Sequence, residues 1–306
     1  MGTTGRLGDW SAVRSLRMDD VLLTYVVDGT MDLRPDAFLP DVPERFWTSD
    51  AGDLTENGTI AMSTGGLLVE RDGHRLLVDA GFGPVVTRSP AGGVDCGALP
   101  ETLQLLGLRP DRIDVLALTH VHADHTGWAF VTGQDGTPRP TFPSARYLVA
   151  DAEWASLAAG ERPFGAPGVA TTIEPLGRWC DRFADGEEIA PGVTAMVTPG
   201  HTAGHTSFVI TSAAGRRLVA FGDVFHVPAQ LAHHDWISPQ DFGAGEVLTA
   251  RARVLAELER PDTYGFGMHF GDQVFGQVAR GSSGEPEWRP LPTTVVGPSP
   301  RGSSGR

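Results

Sequence analysis

The 306-residue chain carries 38 Asp and Glu against 24 basic residues, every one of them Arg, for a formal charge of −14. That balance argues against nucleic acid as a partner, because phosphate contacts need clustered Lys and Arg. With 41% hydrophobic and 20% charged residues the composition is globular rather than disordered. No apolar run approaches the ~20 residues of a membrane span, and the N-terminus lacks the apolar stretch of a signal peptide. A cytoplasmic protein without membrane contact is expected. Two cysteines, Cys96 and Cys180, are too few for a disulfide framework and are read as reduced thiols.

In chain order, a strand is predicted over residues 21–27, followed by loop-forming Pro35, Pro40 and Pro43. Residues 65–69 and 75–78 are apolar runs separated by Asp72-Gly73, a hairpin signal. A short helix is predicted over 103–108, broken by Gly107 and Pro110, then a strand over 115–118. A second hairpin joins 207–211 to 218–221 through Gly215 and ends in Gly222-Asp223. Val247, Leu248, Val254, Leu255 and Leu258 recur at helical spacing before Pro261, and 263–270 reads as a last strand. Residues 1–60 are read as an N-terminal extension packing on a catalytic domain at 61–280. Residues 281–306, Gly/Ser/Pro-rich with Gly-Ser-Ser-Gly twice, are read as a flexible tail.

Chemistry concentrates in His120-Val121-His122-Ala123-Asp124-His125, directly after the apolar run at 115–118. Three imidazoles and a carboxylate in six residues are the ligand types of borderline cations such as Zn²⁺. A polar surface turn is the bland alternative, but such turns seldom hold three histidines immediately after a buried strand. His201 in a Gly-punctuated loop, Asp223 after the second hairpin and His269 near the last strand each follow an apolar run. Five histidines and two aspartates exceed one tetrahedral ion, and a carboxylate able to bridge suggests two.

The His-x-His-x-Asp-His element, His201 within Pro-Gly-His-Thr-x-Gly-His, Asp223 after a strand and His269 near the end together resemble the metallo-β-lactamase superfamily. The resemblance spans roughly residues 65–270 and implies an α+β protein, a four-layer αββα sandwich with a dinuclear site at one edge. By it, His120, His122 and His201 hold one ion, Asp124, His125 and His269 hold the other, and Asp223 bridges them. The implied ions are two Zn²⁺, with Fe or Mn as alternatives, and Asp79 in its Asp-x-Gly element supports the ligand loop. The cysteine that class B β-lactamases place near Asp223 is absent, and the glutathione-binding region of glyoxalase II-like enzymes has no counterpart.

The chain is most similar to the branch of methyl parathion hydrolase and N-acyl-homoserine lactonases. Hydrolysis of a small-molecule ester or lactone by a hydroxide held between the ions is therefore expected. Phosphotriester or thioester hydrolysis, or iron-dependent oxidation of the persulfide dioxygenase type, are the alternatives. Lactonases place a Tyr three residues after the bridging Asp, where this chain has His226. Asp124 and His226 are thus the expected catalytic residues, the first orienting the nucleophile and passing a proton, the second hydrogen-bonding the substrate. His205 is read as a loop support, and His74, His233 and His234 as solvated or loop residues. Trp128 and Phe130 are assigned to core, and Phe225, Trp236 and Phe242 are pocket candidates. A small-molecule substrate is the expected partner, and a homodimer stays open.

Overall fold

Leu67, Leu68, Val69 and Leu76, Leu77, Val78 are all buried, so these runs present apolar side chains to layers on both faces. In the computed structural model, which describes residues 2–49 and 54–300, they belong to the larger of two stacked sheets. Its strands run in the order Cys180–Phe183, Arg146–Ala150, Val115–Ala117, His74–Val78, Ile60–Arg71, Val21–Leu33, Val13–Met18 and Thr294–Gly297. The first four are mutually parallel and the remainder antiparallel. The second sheet runs Glu188–Ala190, Val193–Val197, Thr206–Thr211, Arg217–Ala220, Thr263–Phe266, Phe275–Arg280 and Pro286–Pro290.

The inner faces meet in one core, with Tyr25, Leu67 and Val78 against Phe208, Leu218 and Phe266. Tyr25 and Phe266 pack edge to face with ring centroids 5.3 Å apart across the gap. The helices Leu99–Leu105, Asp151–Ala158 and Glu174–Trp179 cover the outer face of the larger sheet through Leu103, Leu157 and Leu176. On the other side Ala250, Val254 and Leu258 form the apolar stripe of the helix Ala244–Leu258. The result is an α+β, αββα sandwich.

The structure departs from the sequence reading in four places. Residues 13–33 are not an extension: Val13–Met18 and Val21–Leu33 are strands within the larger sheet. Asp28 interrupts the apolar pattern there, yet it is buried, and its carboxylate accepts backbone N–H groups of Phe82, Gly83 and Leu99. The segment after Gly281 is not a free tail up to residue 300. Its first Gly-Ser-Ser-Gly is the turn of a hairpin, and Pro286–Pro290 and Thr294–Gly297 each close one sheet. The second Gly-Ser-Ser-Gly lies outside the described residues. The helix expected at 103–108 is shifted to Leu99–Leu105, with Pro100 in its first turn, and the strand expected to reach 270 stops at Phe266, leaving His269 in a turn.

Trp288 shows why the C-terminal hairpin is held. Its ring lies 5.1 Å from Phe270 and 6.1 Å from Phe221, and its indole N–H donates to the Gln273 carbonyl at 2.9 Å. Trp288→Ala should cost about 2–3 kcal/mol, below the full range for a completely buried aromatic because the side chain is half-buried. Urea unfolding of the variant against the parent chain measures this; an unchanged midpoint would mean the hairpin is not docked.

Candidate metal centre

Parallel neighbours place their carboxyl ends side by side, and this brings the chemistry together. His74–Val78 and Val115–Ala117 are such a pair, ending in Asp79 and in the His120–His125 loop. Arg217–Ala220 and Thr263–Phe266 are the corresponding pair in the second sheet, leading to Asp223 and His269. His201 enters from the loop between Val193–Val197 and Thr206–Thr211. All seven residues singled out in the sequence converge at this edge of the sandwich.

Four overlapping groups have their ligand atoms within 4.8 Å of one another: two separate sets, His120, His122 and His201 and Asp124, His125 and His269, and two through Asp223, one with His120 and His125 and one with His201 and His226. Asp223 lies between the two sets. Its Oδ2 is 3.3 Å from His125 Nε2, 3.5 Å from His201 Nε2 and 3.9 Å from His120 Nε2, and its Oδ1 is 3.4 Å from His269 Nε2. His122 Nδ1 and His201 Nε2 are 3.1 Å apart, close to the about 3.3 Å edge of a tetrahedral shell with ~2.0 Å bonds. His120 Nε2, His122 Nε2, His125 Nε2 and Asp223 Oδ1 are buried with no hydrogen-bond partner among the described residues. Buried polar atoms left unpaired are costly, and a nitrogen- and oxygen-rich set of this kind fits one or two borderline cations.

The outer nitrogens are tied down. Asp79, itself held at φ +66, accepts His125 Nδ1 at 2.9 Å and both the backbone N–H and hydroxyl of Thr119 at 2.8 Å. Thr119 Oγ1 in turn lies 3.0 Å from His120 Nδ1. His269 Nδ1 donates to the Ser63 carbonyl at 3.0 Å, and His201 Nδ1 to Asp241 at 2.8 Å. Such partners fix tautomer and ring orientation. His205 is engaged on both sides: Nδ1 pairs with Thr198 Oγ1 at 2.9 Å, and Nε2 accepts the Asp223 N–H at 3.0 Å. It braces the Asp223 backbone and turns no free nitrogen inward.

Two partners went unnoticed in the sequence, Asp241 and Glu153. Buried Glu153 accepts the Val121 N–H at 2.9 Å, the Thr202 hydroxyl at 2.7 Å and the Gly204 N–H at 2.9 Å. It thereby joins the loop of His120 and His122 to the loop of His201. Gly204 permits this approach, since a Cβ there would lie 1.9 Å from the Glu153 nitrogen. No motif marks either acid, although Glu153 stands on the apolar side of its helix, where an unpaired carboxylate would be costly.

The electrostatics divide the histidines. Burial pushes His122 down to about 3, with the neighbouring His201 adding to the effect, and burial likewise lowers His120. Burial also opposes charge on His125, but the carboxylates of Asp223, Asp124 and Asp79 outweigh it and raise its pKa well above the ordinary 6.5. His269 is raised in the same way by Asp223 and Asp124. Burial would raise Asp223, and the surrounding His125 and His269 instead hold it well below the usual carboxylate range.

A cavity of about 300 Å³ opens above this edge, with His122, Asp124, Asp223, His226 and His269 in its floor. Met31, Phe38, Met62, Phe82 and Phe164 contribute apolar walls. The aromatic residues expected there do not line it: Phe225 is packed under the helix Ala244–Leu258, Trp236 lies in the cluster behind Val227, and Phe242 is 61% exposed. Their segment reaches the cavity through His226 and Gln240 instead, and among the walls Met31 and Phe38 come from the segment read as an extension. Trp128 and Phe130 pack in the core as expected, and the Trp128 indole donates to Asp28 at 2.7 Å. His226 faces Asp223 Oδ2 at 3.4 Å, with both ring nitrogens unpaired among the described residues. His233 stacks on Trp236 with ring centroids 4.0 Å apart.

A family model described as the metallo-beta-lactamase superfamily matches residues 66–267. The chain belongs to that superfamily. Among solved structures, the hydrolase AbOPH of the β-lactamase superfamily is 21% identical, with a TM-score of 0.76 over 92% of this chain and 98% of that one. AidC, a dizinc quorum-quenching lactonase in complex with a product, is 22% identical, with a TM-score of 0.74 over 92% and 98%. A probable metal-dependent hydrolase from Staphylococcus aureus is 21% identical, with a TM-score of 0.71 over 90% and 99%. These likenesses establish the shared metallo-β-lactamase fold. No curated protein matches the sequence. Among the described residues no helix is long and apolar enough to cross a membrane.

Glu153→Gln presents an amide NH₂ to at least one of the N–H groups that Glu153 now accepts. A buried donor left unpaired should cost about 1–3 kcal/mol of stability in the metal-free superfamily domain. Denaturant unfolding in the presence of chelator reads this directly, and a change within about 0.5 kcal/mol would show that the two loops do not depend on Glu153.

Proposed function

We propose that this protein is a dinuclear, zinc-dependent hydrolase of a neutral small-molecule ester or lactone carrying an apolar group. The observation that carries the reading is the pairing of two groups of ligand atoms, with Asp223 between them, and a mainly apolar cavity that no Arg lines among the described residues. A substrate bearing a free carboxylate or phosphate monoester would find carboxylates and no Arg on that wall. The likeness to a dizinc lactonase adds support. The second set, Asp124, His125 and His269, favours two ions over the single iron of a persulfide dioxygenase-type reaction.

Bound divalent ions would supply a water acidic enough to attack near neutral pH and Lewis acidity for the acyl oxygen. In this assignment His120, His122 and His201 hold one ion and Asp124, His125 and His269 the other, with Asp223 common to both. Asp124, whose side chain is 20% exposed toward the cavity, can accept a proton and return it to the departing alkoxide. His226, kept neutral by burial, can donate a hydrogen bond to the substrate carbonyl from the cavity floor. Phe38, Phe82 and Phe164 would seat the apolar group and exclude water from the reacting bond.

Elemental analysis should find two divalent ions per chain, chiefly zinc, and a panel of neutral lactones, esters and phosphotriesters should give turnover highest on lactones or esters with apolar acyl groups. One iron per chain with no hydrolysis would refute the proposal, and preferred cleavage of phosphotriesters would move it to the alternative substrate class.

Metal loading should also depend on pH in a definite sense. Because His125 holds its proton above the ordinary range, an ion at that position must displace it, whereas His120 and His122 are already neutral. Lowering the pH from about 8 to about 5.5 should empty the Asp124, His125 and His269 position first. Metal content of the parent chain, compared with His125→Ala across that range, checks the order.

His226→Ala should keep both ions while lowering turnover by about 10- to 100-fold, the scale of one hydrogen bond to developing charge. Kinetics paired with metal content decides it: unchanged turnover leaves His226 without a catalytic part, and lost metal makes it a ligand.

A further inference from the structure

The helix Ala244–Leu258 carries an arginine in its buried stripe, and that residue reaches the ligand set from behind. Arg251 is wholly buried. Its Nε donates to the Val224 carbonyl at 2.9 Å, and one terminal nitrogen donates to the carbonyls of His234 and Trp236 at 2.7 and 2.8 Å. The other terminal nitrogen faces Asp241 Oδ2 at 3.8 Å. The guanidinium also lies 5.9 Å over the Phe225 ring. Burial lowers it to about 10, which leaves it charged at neutral pH.

These contacts close a loop whose two ends both belong to the site. Val224 follows Asp223 directly, and Asp241, which also accepts the Ser238 N–H at 2.9 Å, takes the hydrogen bond from His201 Nδ1. A buried carboxylate without a counter-charge is costly, and a buried guanidinium is equally so. Here the two charges face each other across 3.8 Å without a hydrogen bond, the carbonyls take Nε and one terminal nitrogen, and the terminal nitrogen nearest Asp241 has no hydrogen-bond partner among the described residues. Arg's planar fork suits this task, since three carbonyls and one carboxylate surround it in fixed directions.

We propose that the buried Arg251–Asp241 pair is a positioning device that sets the metal affinity of the His120, His122 and His201 position, Asp241 by orienting His201 and Arg251 by holding Asp241 and the Asp223 loop in register. The proposal rests on the ligand assignment made above. Neither residue touches the substrate cavity through its side chain; both act through His201 and Asp223.

The test is stepwise metal affinity of the full-length chain, stripped and then titrated with Zn²⁺ against a chromophoric chelator, for the parent, Asp241→Asn, Arg251→Lys and Arg251→Met. Asp241→Asn keeps the shape and should weaken one binding step by about 10- to 100-fold and leave the other alone. Arg251→Met should weaken the same step, and Arg251→Lys, which restores the charge but not the fork, should recover part of the loss. The Asp241→Asn/Arg251→Met double variant should bind no more weakly than the poorer single variant, because the two residues act as a unit. Thermal unfolding of each stripped protein separates a general loss of stability from a selective loss of affinity.

A parent chain that binds two ions, with both steps unchanged in Asp241→Asn, would overturn the proposal and leave the hydrolase reading standing. An Arg251→Met protein that unfolds earlier yet binds both ions normally would reduce Arg251 to a packing role and overturn it likewise. If Arg251→Met does not fold, Asp241→Asn and Arg251→Lys carry the test. A parent chain that binds no ion would remove both readings together.

Discussion

The gap between the two sheets governs everything at the site. His120, His122, Asp124 and His125 hang from the larger sheet, while His201, Asp223 and His269 hang from the smaller one. Ligand atoms that must meet within a few tenths of an ångström are therefore positioned by a sheet-to-sheet distance set by core packing, such as that of Tyr25 on Phe266. Close packing resists gradual deformation, but it does not by itself align loops at the rim. That alignment comes from buried hydrogen-bonded acids. Glu153 reaches across the gap from one ligand loop to the other, Asp79 braces His125 and Thr119, and Asp241 braces His201.

These acids also explain how a chain of charge −14 concentrates histidines in its interior. Buried imidazoles that bear protons repel one another and lose solvation, and this drives His120 and His122 to the neutral form. Where three carboxylates surround His125, the balance reverses and the proton is held. The two groups thus differ in charge, with His120 and His122 driven neutral and His125 and His269 holding protons beside carboxylates. Under the proposed dinuclear assignment, such a difference would give two positions unequal affinities without requiring different folds around them.

Much of this was legible in the sequence, for a physical reason. Metal-ligand chemistry needs particular residue types at strand ends, so the seven converging residues stood out as His and Asp after apolar runs. Asp79 was visible through its Asp-x-Gly setting. Asp241 and Glu153 were not, because a supporting carboxylate can come from any element that reaches the loop, and its spacing from the ligand is set by tertiary packing. The strand Val21–Leu33 was half missed because Asp28, satisfied by three backbone N–H groups, looks like a break in an apolar pattern. The C-terminal strands were hidden by glycine, serine and proline, residues that here build a hairpin turn and sheet edges. Part of the cavity wall was hidden by the same misreading, since Met31 and Phe38 lie on segments whose role depends on where the first strands run.

The central claim is that two ligand sets sharing Asp223 each hold an ion. Anomalous diffraction from crystals of the zinc-loaded protein, recorded on either side of the zinc absorption edge, tests it most directly. The account predicts two peaks per chain, one bounded by His120, His122 and His201 and one by Asp124, His125 and His269, both in contact with Asp223. A single peak, with Asp124, His125 and His269 closed on one another by hydrogen bonds under saturating zinc, would contradict it.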